Sequence, residues 1–503
     1  MEQRKASVLL SYIAQFIHIL SALLYTPVML RLLGQSEYGT YQLVESVVSY
    51  LSLFSLGFGA SYVRYYSLRK AKNDEEGIAK LNGMYMVIFL IMALLVVICG
   101  LIMIKSIRAL LGTGLNEHEY SIATILMCFM VFNLAITFPM SVFDCIVTAH
   151  ERFIFQKSLM IFQYLLNPFI TLPLLLMGYG SISMVAVTTG LTIAKMIANV
   201  WVCMKKLDTR FVFHDFQLSQ FRDLWNFTFF IFLNQIIEQL NWNVDKFLLG
   251  RYTGTIAVSI YGLAAQINTL YIQFSSSISD AFIPKINAMV ANYDDKDEIN
   301  SLFFKVGRVQ FIVIALILSG FIFFGETFMY LWGGEGYRDS YGVTLLLIIP
   351  ITIPLIQGLG IQIQRARNKH RTRSIVYLFI SMLNVIVSIP LVKKAGPMGA
   401  AFGTSVALSL GHGVFMNWYY YKSLAIDIPG FWKEIVSFGP ALILPILSGI
   451  GLNILLPGEM IGVFILKILL YTIVYGFSMR FIGFNMNEKE MIRFILGRLK
   501  RGL

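Results

Sequence analysis

Charged and reactive side chains are scarce in this sequence. Asp, Glu, Lys and Arg make up 14% of the 503 residues, against about 25% in soluble domains, which excludes an ordinary soluble globular protein. The four cysteines fall in or beside apolar segments and lack the close spacing of a metal site. The sequence has no Walker motif and no glycine-rich phosphate loop, which excludes direct use of ATP. We therefore expect no metal and no cofactor.

Apolar segments long enough to cross a bilayer recur along the chain. Hydrophobic residues make up 57% of it, and a helix needs about 20 apolar residues to cross the hydrocarbon core. The pattern predicts an all-α integral membrane protein with about fourteen transmembrane helices. The predicted spans are Val8–Leu30, Tyr41–Val63, Gly83–Ile104, Ser121–Val142, Leu159–Met177, Ile182–Met204, Phe227–Gly250, Val258–Phe282, Val309–Tyr330, Tyr341–Ile363, Ile375–Val392, Met398–Tyr420, Ile435–Leu456 and Ile461–Met479.

Basic residues lie mainly on one side of this arrangement. With the N-terminus in the cytoplasm, the inner segments hold thirty Lys and Arg residues, the outer loops seven and the spans three, which accounts for all 40. This positive-inside bias predicts a multi-pass membrane protein with both termini in the cytoplasm. Because the net charge of +12 is spread over short breaks between spans, we expect no nucleic-acid partner.

The chain also contains a diffuse internal repeat. The stretch from Arg31 to Gly39 resembles that from Phe247 to Gly262, and 149–173 resembles 366–390 at nearly the same offset. Two copies of six helices predict two lobes related by a pseudo-two-fold axis along the membrane normal, with a cavity between them. The alternative is that Gly and Pro simply recur often in membrane helices.

The repeat also predicts how the chain is organised. Two amphipathic stretches, Phe211–Leu224 and Met491–Leu499, are typical of interfacial helices and should lie on the inner surface. We expect an N-terminal lobe at 1–209, a cytoplasmic interfacial connector at 210–225, a C-terminal lobe at 226–422, two appended spans at 423–480 and a basic cytoplasmic tail at 481–503.

Several polar and charged side chains fall within predicted spans, where a charge costs at least about 2.5 kcal/mol unless it has a partner or a cavity. In the seventh span, Glu238, Asn241 and Asp245 follow helical spacing and predict a polar face that cannot contact lipid. Lys467 should either snorkel to the interface or line a groove for a lipid tail. The alternative for all of them is structural pairing. The candidates for cavity or coupling residues are Glu45, Asp144, Glu238, Asn241, Asp245 and Asp280.

The segments from Thr26 to Gly39 and from Asp245 to Ala264 resemble the polysaccharide exporters and oligosaccharide flippases (Wzx-type) of the multidrug/oligosaccharidyl-lipid/polysaccharide exporter superfamily. The resemblance covers nearly the whole chain and implies a MATE-like fold that works by alternating access. It implies transfer of an undecaprenyl-diphosphate-linked oligosaccharide through the lipid bilayer of the bacterial cytoplasmic (inner) membrane. The product would serve capsule, exopolysaccharide or O-antigen synthesis with polysaccharide polymerase machinery. A coupling cation (H⁺ or Na⁺) or the membrane potential would drive it.

The resemblance further implies a cationic cavity for the diphosphate, and the candidates are Arg31, Arg64, Lys195 and Lys246. Related lipid II flippases carry arginine in the middle of the second helix, whereas this second span has Glu45 and no basic residue between Tyr41 and Ala60, which argues against lipid II. A cation-coupled multidrug antiporter is the first alternative, because of the acidic residues of the seventh span. A membrane polysaccharide polymerase or glycosyltransferase is the second, but no outer loop is long enough for a catalytic domain.

Overall fold

The chain is almost entirely helical in its computed structural model, which describes residues 2–112, 114–214, 218–292, 295–367, 369, 371–486 and 488–489. The helices of its first half are α1 Glu2–Ser49, α2 Phe58–Lys70, α3 Glu75–Lys105, α4 Ile107–Leu111, α5 Glu117–Ala149, α6 Phe153–Leu176, α7 Gly180–Lys206, α8 Leu218–Trp242, α9 Val244–Tyr252 and α10 Thr255–Asp280. Those of its second half are α11 Ile283–Asn292, α12 Lys296–Gly333, α13 Ser340–Ile356, α14 Gly358–Ala366, α15 Arg371–Leu408, α16 Asn417–Ser423, α17 Ile428–Val436, α18 Gly439–Leu455 and α19 Ile461–Ser478. No strand occurs in the described ranges, and the predicted all-α class is confirmed.

The helices agree with the predicted number of membrane spans. In the described part of the chain, 10 helices are long and apolar enough to cross a membrane, and the bent pair α17 and α18 makes up to 11. Two of the ten, Leu10–Ser55 and Thr372–Ser423, are twice the length that a bilayer requires, and each contains a break in the helical backbone. Each therefore covers two predicted spans, which raises the count from 11 to 13. Helices α8 and α9 together cover the seventh predicted span and bring the count to the expected fourteen.

Glycines cause the breaks in these two long helices. Gly34 has φ 74° and ψ 172°, and Gly396 has φ 52° and ψ −131°. Both have a positive φ that residues with a Cβ rarely adopt, so the chain can turn sharply there without a long loop. The two glycines lie in the predicted gaps between spans one and two and between spans eleven and twelve.

The second predicted span, Tyr41–Val63, is helical but not one continuous α-helix. Helix α1 ends at Ser49, Tyr50–Ser55 forms a 3₁₀ helix, and Leu56 and Gly57 have φ values of 47° and 71°. Serine hydroxyls along this stretch donate to carbonyl oxygens three residues earlier, at 2.6 to 2.7 Å. Such local bonds compete with the α-helical ladder, and the tighter 3₁₀ spacing accommodates them.

Three further spans are interrupted and the predicted interfacial connector is only partly helical. Asn243 separates α8 from α9, Gln357 separates α13 from α14, and Ser409–Met416 forms a π-helical turn. Residues 211–214 are not helical, so the interfacial helix predicted from Phe211 was wrong there, and α8 begins at Leu218. The other predicted interfacial stretch, 491–499, lies outside the described residues.

The described residues form two compact units. One comprises those of Met1–Leu263 and Ser374–Thr404, and the other those of Ala264–Arg373 and Ser405–Leu503. The first unit therefore groups the seventh and eleventh spans with spans one to six, whereas the repeat assigns them to the second lobe. The lobe, connector and tail boundaries taken from the sequence remain predictions.

Glycines of the repeat motif allow close packing inside the first unit. A Cβ on Gly39 would lie 1.9 Å from the carbonyl oxygen of Thr255, and one on Gly250 would lie 2.4 Å from a leucine of α1. A Cβ on Gly262 would lie 3.1 Å from a glutamine side chain of α1. Helix α1 thus packs against α9 and α10 with no room for side chains at these positions, which explains the glycines physically.

A buried arginine organises the second unit. Arg308 is 5% exposed and donates from Nε and Nη2 to the two carboxylate oxygens of Glu488, at 2.7 and 3.0 Å. Its Nη1 donates to Glu434 at 2.7 Å, and Nη2 also donates to the carbonyl oxygen of Gly483 at 3.1 Å. The paired bidentate geometry is the strong form of such an interaction. It fixes the segment after α19 against α12 and α17.

Candidate functional site

Helices α8 and α9 present one polar face to α15 within the first unit. Serine hydroxyls of α15 donate to Asn234 at 3.3 Å and to Asn241 at 2.9 Å, and Thr404 donates to Asp245 at 2.6 Å. The helical spacing of these residues is what brings them onto one face. The remaining member, Glu238, is exposed and accepts a hydrogen bond at 3.0 Å from the indole of a tryptophan one turn on.

A second polar face of α8 meets the 3₁₀ segment of the second span. Because a 3₁₀ helix has three residues per turn, the serines at 49, 52 and 55 align on one side. The Ser49 hydroxyl, which donates to the Ser46 carbonyl oxygen, lies 3.0 Å from Gln239 Oε1, and Gln235 Nε2 donates to Ser55 Oγ at 3.3 Å. We call this contact the serine–glutamine seam. The sequence signal for this seam is the serine spacing of three, and none of these serines is among the predicted site residues.

Lys246 lies beyond the Ser49 end of this seam. Its Nζ donates to Gln42 Oε1 at 2.6 Å, and Gln42 Nε2 donates in turn to the Tyr38 hydroxyl at 3.1 Å. The carboxylate of Glu45, three residues further along α1, stabilises the ammonium charge electrostatically. An ammonium has three donors, and among the described residues only the Gln42 amide takes one of them. Lys246 can therefore still donate to a phosphate oxygen.

Asp245 points away from Lys246 into a network of hydroxyl and amide groups. The side chain is 0% exposed, and its Oδ2 accepts from the Tyr261 hydroxyl at 2.7 Å and from the Thr404 hydroxyl at 2.6 Å. Asn384 donates to Thr404 at 3.3 Å, and Ser388 donates to Asn384 at 3.2 Å. Asp245 Oδ1 has no hydrogen-bond partner in the described structure. The consecutive acidic and basic residues thus bind different partners rather than each other.

The unpaired oxygen of Asp245 limits what this network could bind. A buried carboxylate oxygen without a partner is costly, and it calls for a physical explanation. The surrounding donors and acceptors are oxygens and an amide, which suit a proton or a single hard cation such as Na⁺. In the described ranges no group of three or more His, Cys, Asp or Glu side chains could hold a metal ion. One carboxylate with neutral oxygens fits a monovalent cation better than a divalent one.

The remaining candidates of the first unit lie apart from this network. Lys195 Nζ is 4.0 Å from Asp144 Oδ1, which also accepts from Asn199 Nδ2 at 3.1 Å. This contact between α5 and α7 is the structural pairing that the sequence left open as an alternative. Arg31 and Arg64 are both exposed, and both interact with neighbouring groups.

Two candidates lie in the second unit instead. Asp280 is exposed at the end of α10 and faces the positive charge of Arg365 on α14. Lys467 is 4% exposed, and its Nζ donates to Asn453 Oδ1 at 3.1 Å. The ammonium is therefore held inside the unit rather than snorkelling to the interface. The groove for a lipid tail remains a prediction.

The structure adds one polar residue that was missed as a site. Glu119 is 6% exposed and accepts from the hydroxyls of Ser36 and Thr255, the latter at 2.6 Å. Its Oε2 accepts from the backbone N–H of Asn116 at 2.8 Å, which forms a capping box at the start of α5. We call this contact the Glu119 junction; it joins α1, α5 and α10. The available sequence signal was the Asn-x-x-Glu spacing of a capping box.

Comparison with known sequences identifies relatives of this chain. A family model described as polysaccharide biosynthesis protein matches residues 5–290. The chain is 26% identical over 180 residues to the probable flippase AglR of Haloferax volcanii, which covers 33% of this chain and 36% of AglR. It is 23% identical over 236 residues to the capsular polysaccharide biosynthesis protein CapF of Staphylococcus aureus, which covers 45% of this chain and 57% of CapF. The matches thus span between a third and just over half of these relatives.

Solved structures share the fold over much more of the chain. The lipid II flippase MurJ in an inward closed conformation superposes with a TM-score of 0.72 at 16% identity, covering 94% of this chain and 98% of MurJ. An inward-facing multidrug resistance MATE family transporter of the MOP superfamily superposes with a TM-score of 0.67 at 14% identity, covering 83% of this chain and 96% of the transporter. At these identities the likeness establishes the fold alone.

Proposed function

Since this chain belongs to the polysaccharide biosynthesis protein family, we propose that it is a flippase for an undecaprenyl-diphosphate-linked oligosaccharide repeat unit. The family match and the MATE-like fold confirm the resemblance to the exporters and flippases of the superfamily. The chain is a multi-pass membrane protein whose solved structural relatives are a flippase and transporters rather than enzymes. Under this proposal it acts by alternating access in the bacterial cytoplasmic membrane, with both termini in the cytoplasm.

The position of Lys246 is the observation that carries the proposal. A diphosphate in a low-dielectric cavity needs a cation, and lysine offers a point charge with several donors. Lys246 extends from a polar seam, is held at one donor by Gln42 and keeps the others for a ligand. Glu45 balances its charge when no substrate is bound. A diphosphate oxygen would compete with these two groups for the same ammonium.

The Asp245 network supports a role in ion coupling. We propose that Asp245, Tyr261 and Thr404 hold a proton or a monovalent cation, with Asn384 and Ser388 completing the polar lining. The ion would supply the charge that neutralises the buried carboxylate. The two hydroxyl donors come from α10 and α15, so the occupancy of Asp245 would bear directly on how these helices bind α9. A change at Asp245 should therefore alter the ion dependence of transport rather than substrate affinity alone.

The test compares Lys246→Gln with Lys305→Gln, an exposed lysine on α12 that serves as the matched control. In cells deleted for the gene, the control variant should restore surface glycan. Lys246→Gln should not, although it reaches the membrane at normal levels, and lipid-linked repeat units should accumulate on the cytoplasmic side. Normal surface glycan with Lys246→Gln would refute the assignment of Lys246. Unchanged lipid intermediates on deletion, with loss of resistance to cationic dyes, would indicate a multidrug antiporter instead.

A further inference from the structure

A polar pocket of about 450 Å³ lies in the first unit, at the predicted cytoplasmic ends of its helices. The end of α2, the start of α3, the end of α5 and the residues that follow α7 enclose it. Its charged lining residues are Lys70 and Arg210, which are basic, and Glu75 and Asp208, which are acidic. In the predicted topology Lys246 lies near the opposite end of its span. The pocket is therefore separate from the site proposed above.

The segment after α7 is fixed in place against α3, so the pocket is preformed. Val212 N–H donates to the carbonyl oxygen of Ala79 at 3.0 Å, and Asn82 Nδ2 donates to the carbonyl oxygen of Arg210 at 2.9 Å. A Cβ on Gly83 would lie 1.9 Å from the carbonyl oxygen of Val212. The glycine thus permits a backbone contact that a side chain would block. Ligand sites are usually largely preformed in this way.

A neutral histidine and a tyrosine form one wall of the pocket. His150 Nδ1 lies 2.9 Å from the carbonyl oxygen of Ile146 and must donate to it, so Nε2 accepts from the Tyr66 hydroxyl at 2.9 Å. Burial, together with the positive charges of Lys70 and Arg152, holds the pKa of His150 below its ordinary value. The two rings lie 5.1 Å apart. The wall is therefore aromatic and uncharged near neutral pH.

The basic side chains of the pocket are not paired with its carboxylates in the described structure. The Lys70 ammonium lies 5.7 Å from the centre of the Tyr66 ring. Neither Lys70 nor Arg210 forms a salt bridge with a carboxylate in the described part of the chain.

The mixture of charges narrows the class of ligand. Two cations suit a phosphate group, since charge-assisted hydrogen bonds to phosphate are strong. A simple anion would be repelled by Glu75 and Asp208, whereas a neutral sugar would leave the cations unused. Carboxylates are good acceptors for hydroxyl donors. A ligand with both a phosphate and several hydroxyl groups satisfies all four charged groups.

We propose that this pocket binds a glycosyl phosphate, with the phosphate at Lys70 and Arg210 and the sugar hydroxyls at Asp208 and Glu75. The volume of the pocket accommodates a phosphorylated monosaccharide. The same chemistry occurs in a soluble sugar phosphate and in the head group of a lipid-linked sugar. The inference does not rest on the proposed flippase activity, because binding can be measured without transport.

The test is direct binding of α-D-glucose 1-phosphate and N-acetyl-α-D-glucosamine 1-phosphate to the purified full-length protein in detergent. At least one of them should bind saturably, and Arg210→Gln or Lys70→Gln should weaken binding about tenfold or more, as expected for loss of a charge-assisted hydrogen bond. The matched control is Lys72→Gln. Lys72 is exposed, follows α2 two residues after Lys70 and does not line the pocket, so this variant should bind the probes like the wild type. Asp208→Asn should weaken binding of the sugar phosphates more than binding of inorganic phosphate.

The source of the ligand follows from a competition experiment. Nanodiscs that contain an undecaprenyl-phosphate-linked hexose would displace the soluble probe if the lipid head group occupies the pocket, whereas a lack of displacement would assign the pocket to a soluble sugar phosphate. The absence of saturable binding by both probes up to millimolar concentration, together with no displacement by the lipid, would overturn the proposal. Equal affinity of the Lys72→Gln and Arg210→Gln variants would also overturn it. So would inorganic phosphate binding as tightly as the sugar phosphates.

Discussion

Replacing Gly39 by alanine should force helices α1 and α10 apart. The added Cβ would lie 1.9 Å from the carbonyl oxygen of Thr255, 2.6 Å from its carbonyl carbon and 3.2 Å from its Cα. All three atoms belong to the backbone, so no side-chain rotation can relieve the overlap. An unstrained contact requires about 3.5 Å, so the helices would have to separate by roughly 1.5 Å.

The loss of folding stability caused by Gly39→Ala has two parts. Overpacking of this kind destabilises by about 1 to 3 kcal/mol. The displacement would also stretch the hydrogen bond from the Thr255 hydroxyl to Glu119, which is 2.6 Å long, and a hydrogen bond to a charged group contributes about 1.5 to 3 kcal/mol. We therefore expect Gly39→Ala to lower the free energy of unfolding by about 3 kcal/mol, because both the packing and the Glu119 junction are disturbed.

The assay is thermal unfolding of the purified protein in detergent, followed by the loss of soluble, monodisperse protein. Gly190→Ala is the matched control, because a Cβ on Gly190 in α7 meets nothing within 4 Å. The control should unfold at the wild-type temperature or slightly above it, since alanine favours a helix. Equal unfolding temperatures for the two variants would refute the argument that the repeat glycines are required for close helix packing.

Two further predictions concern buried ionisable groups. The pKa of His150 is lowered in the folded protein, so below about pH 6.5 the unfolded chain takes up a proton that the folded chain resists. Thermal stability should therefore fall as the pH drops through this range. A His150→Gln variant should show a weaker dependence of its unfolding temperature on pH. Lys467 donates its hydrogen bond in the described structure to the neutral Asn453, so Lys467→Met should unfold at the same or a higher temperature, because a costly buried charge is removed. A large loss of stability in the methionine variant would show that the ammonium has further favourable partners.

The sequence predicted the helices well and their interruptions poorly. Long apolar runs determine where a helix can cross a bilayer, and the fourteen predicted spans agree with the helices of the described structure. The breaks at Gly34 and Gly396 fall where the hydropathy drops and were expected as connections. The 3₁₀ segment Tyr50–Ser55 was not expected, because its hydropathy does not differ from that of an α-helix. What distinguishes this segment is the hydrogen bonds that its serine hydroxyls donate to backbone carbonyl oxygens.

The candidate site was predictable only in part, because the sequence shows which residues share a helix face but not which helix packs against that face. The helical spacing of Asn234, Asn241 and Asp245 indicates a shared polar face, but the pattern cannot reveal that α15 is the partner, since that contact is tertiary. Consecutive residues on a helix point about 100° apart, which is why Asp245 and Lys246 bind different groups. Their partners come from segments distant in sequence. Glu119 was overlooked because it ends the consecutive run Glu117, His118 and Glu119, and consecutive residues suit neither one helix face nor a metal site.

The buried contact between Arg308 and Glu488 has a practical consequence for handling the protein. A shortened form that ends after α19 would remove both the bidentate carboxylate and the Gly483 carbonyl, and would leave Arg308 with Glu434 and Ser437. A buried cation deprived of its main partner is strongly destabilising. Affinity tags and cleavage sites are therefore better placed after Glu488 than before it.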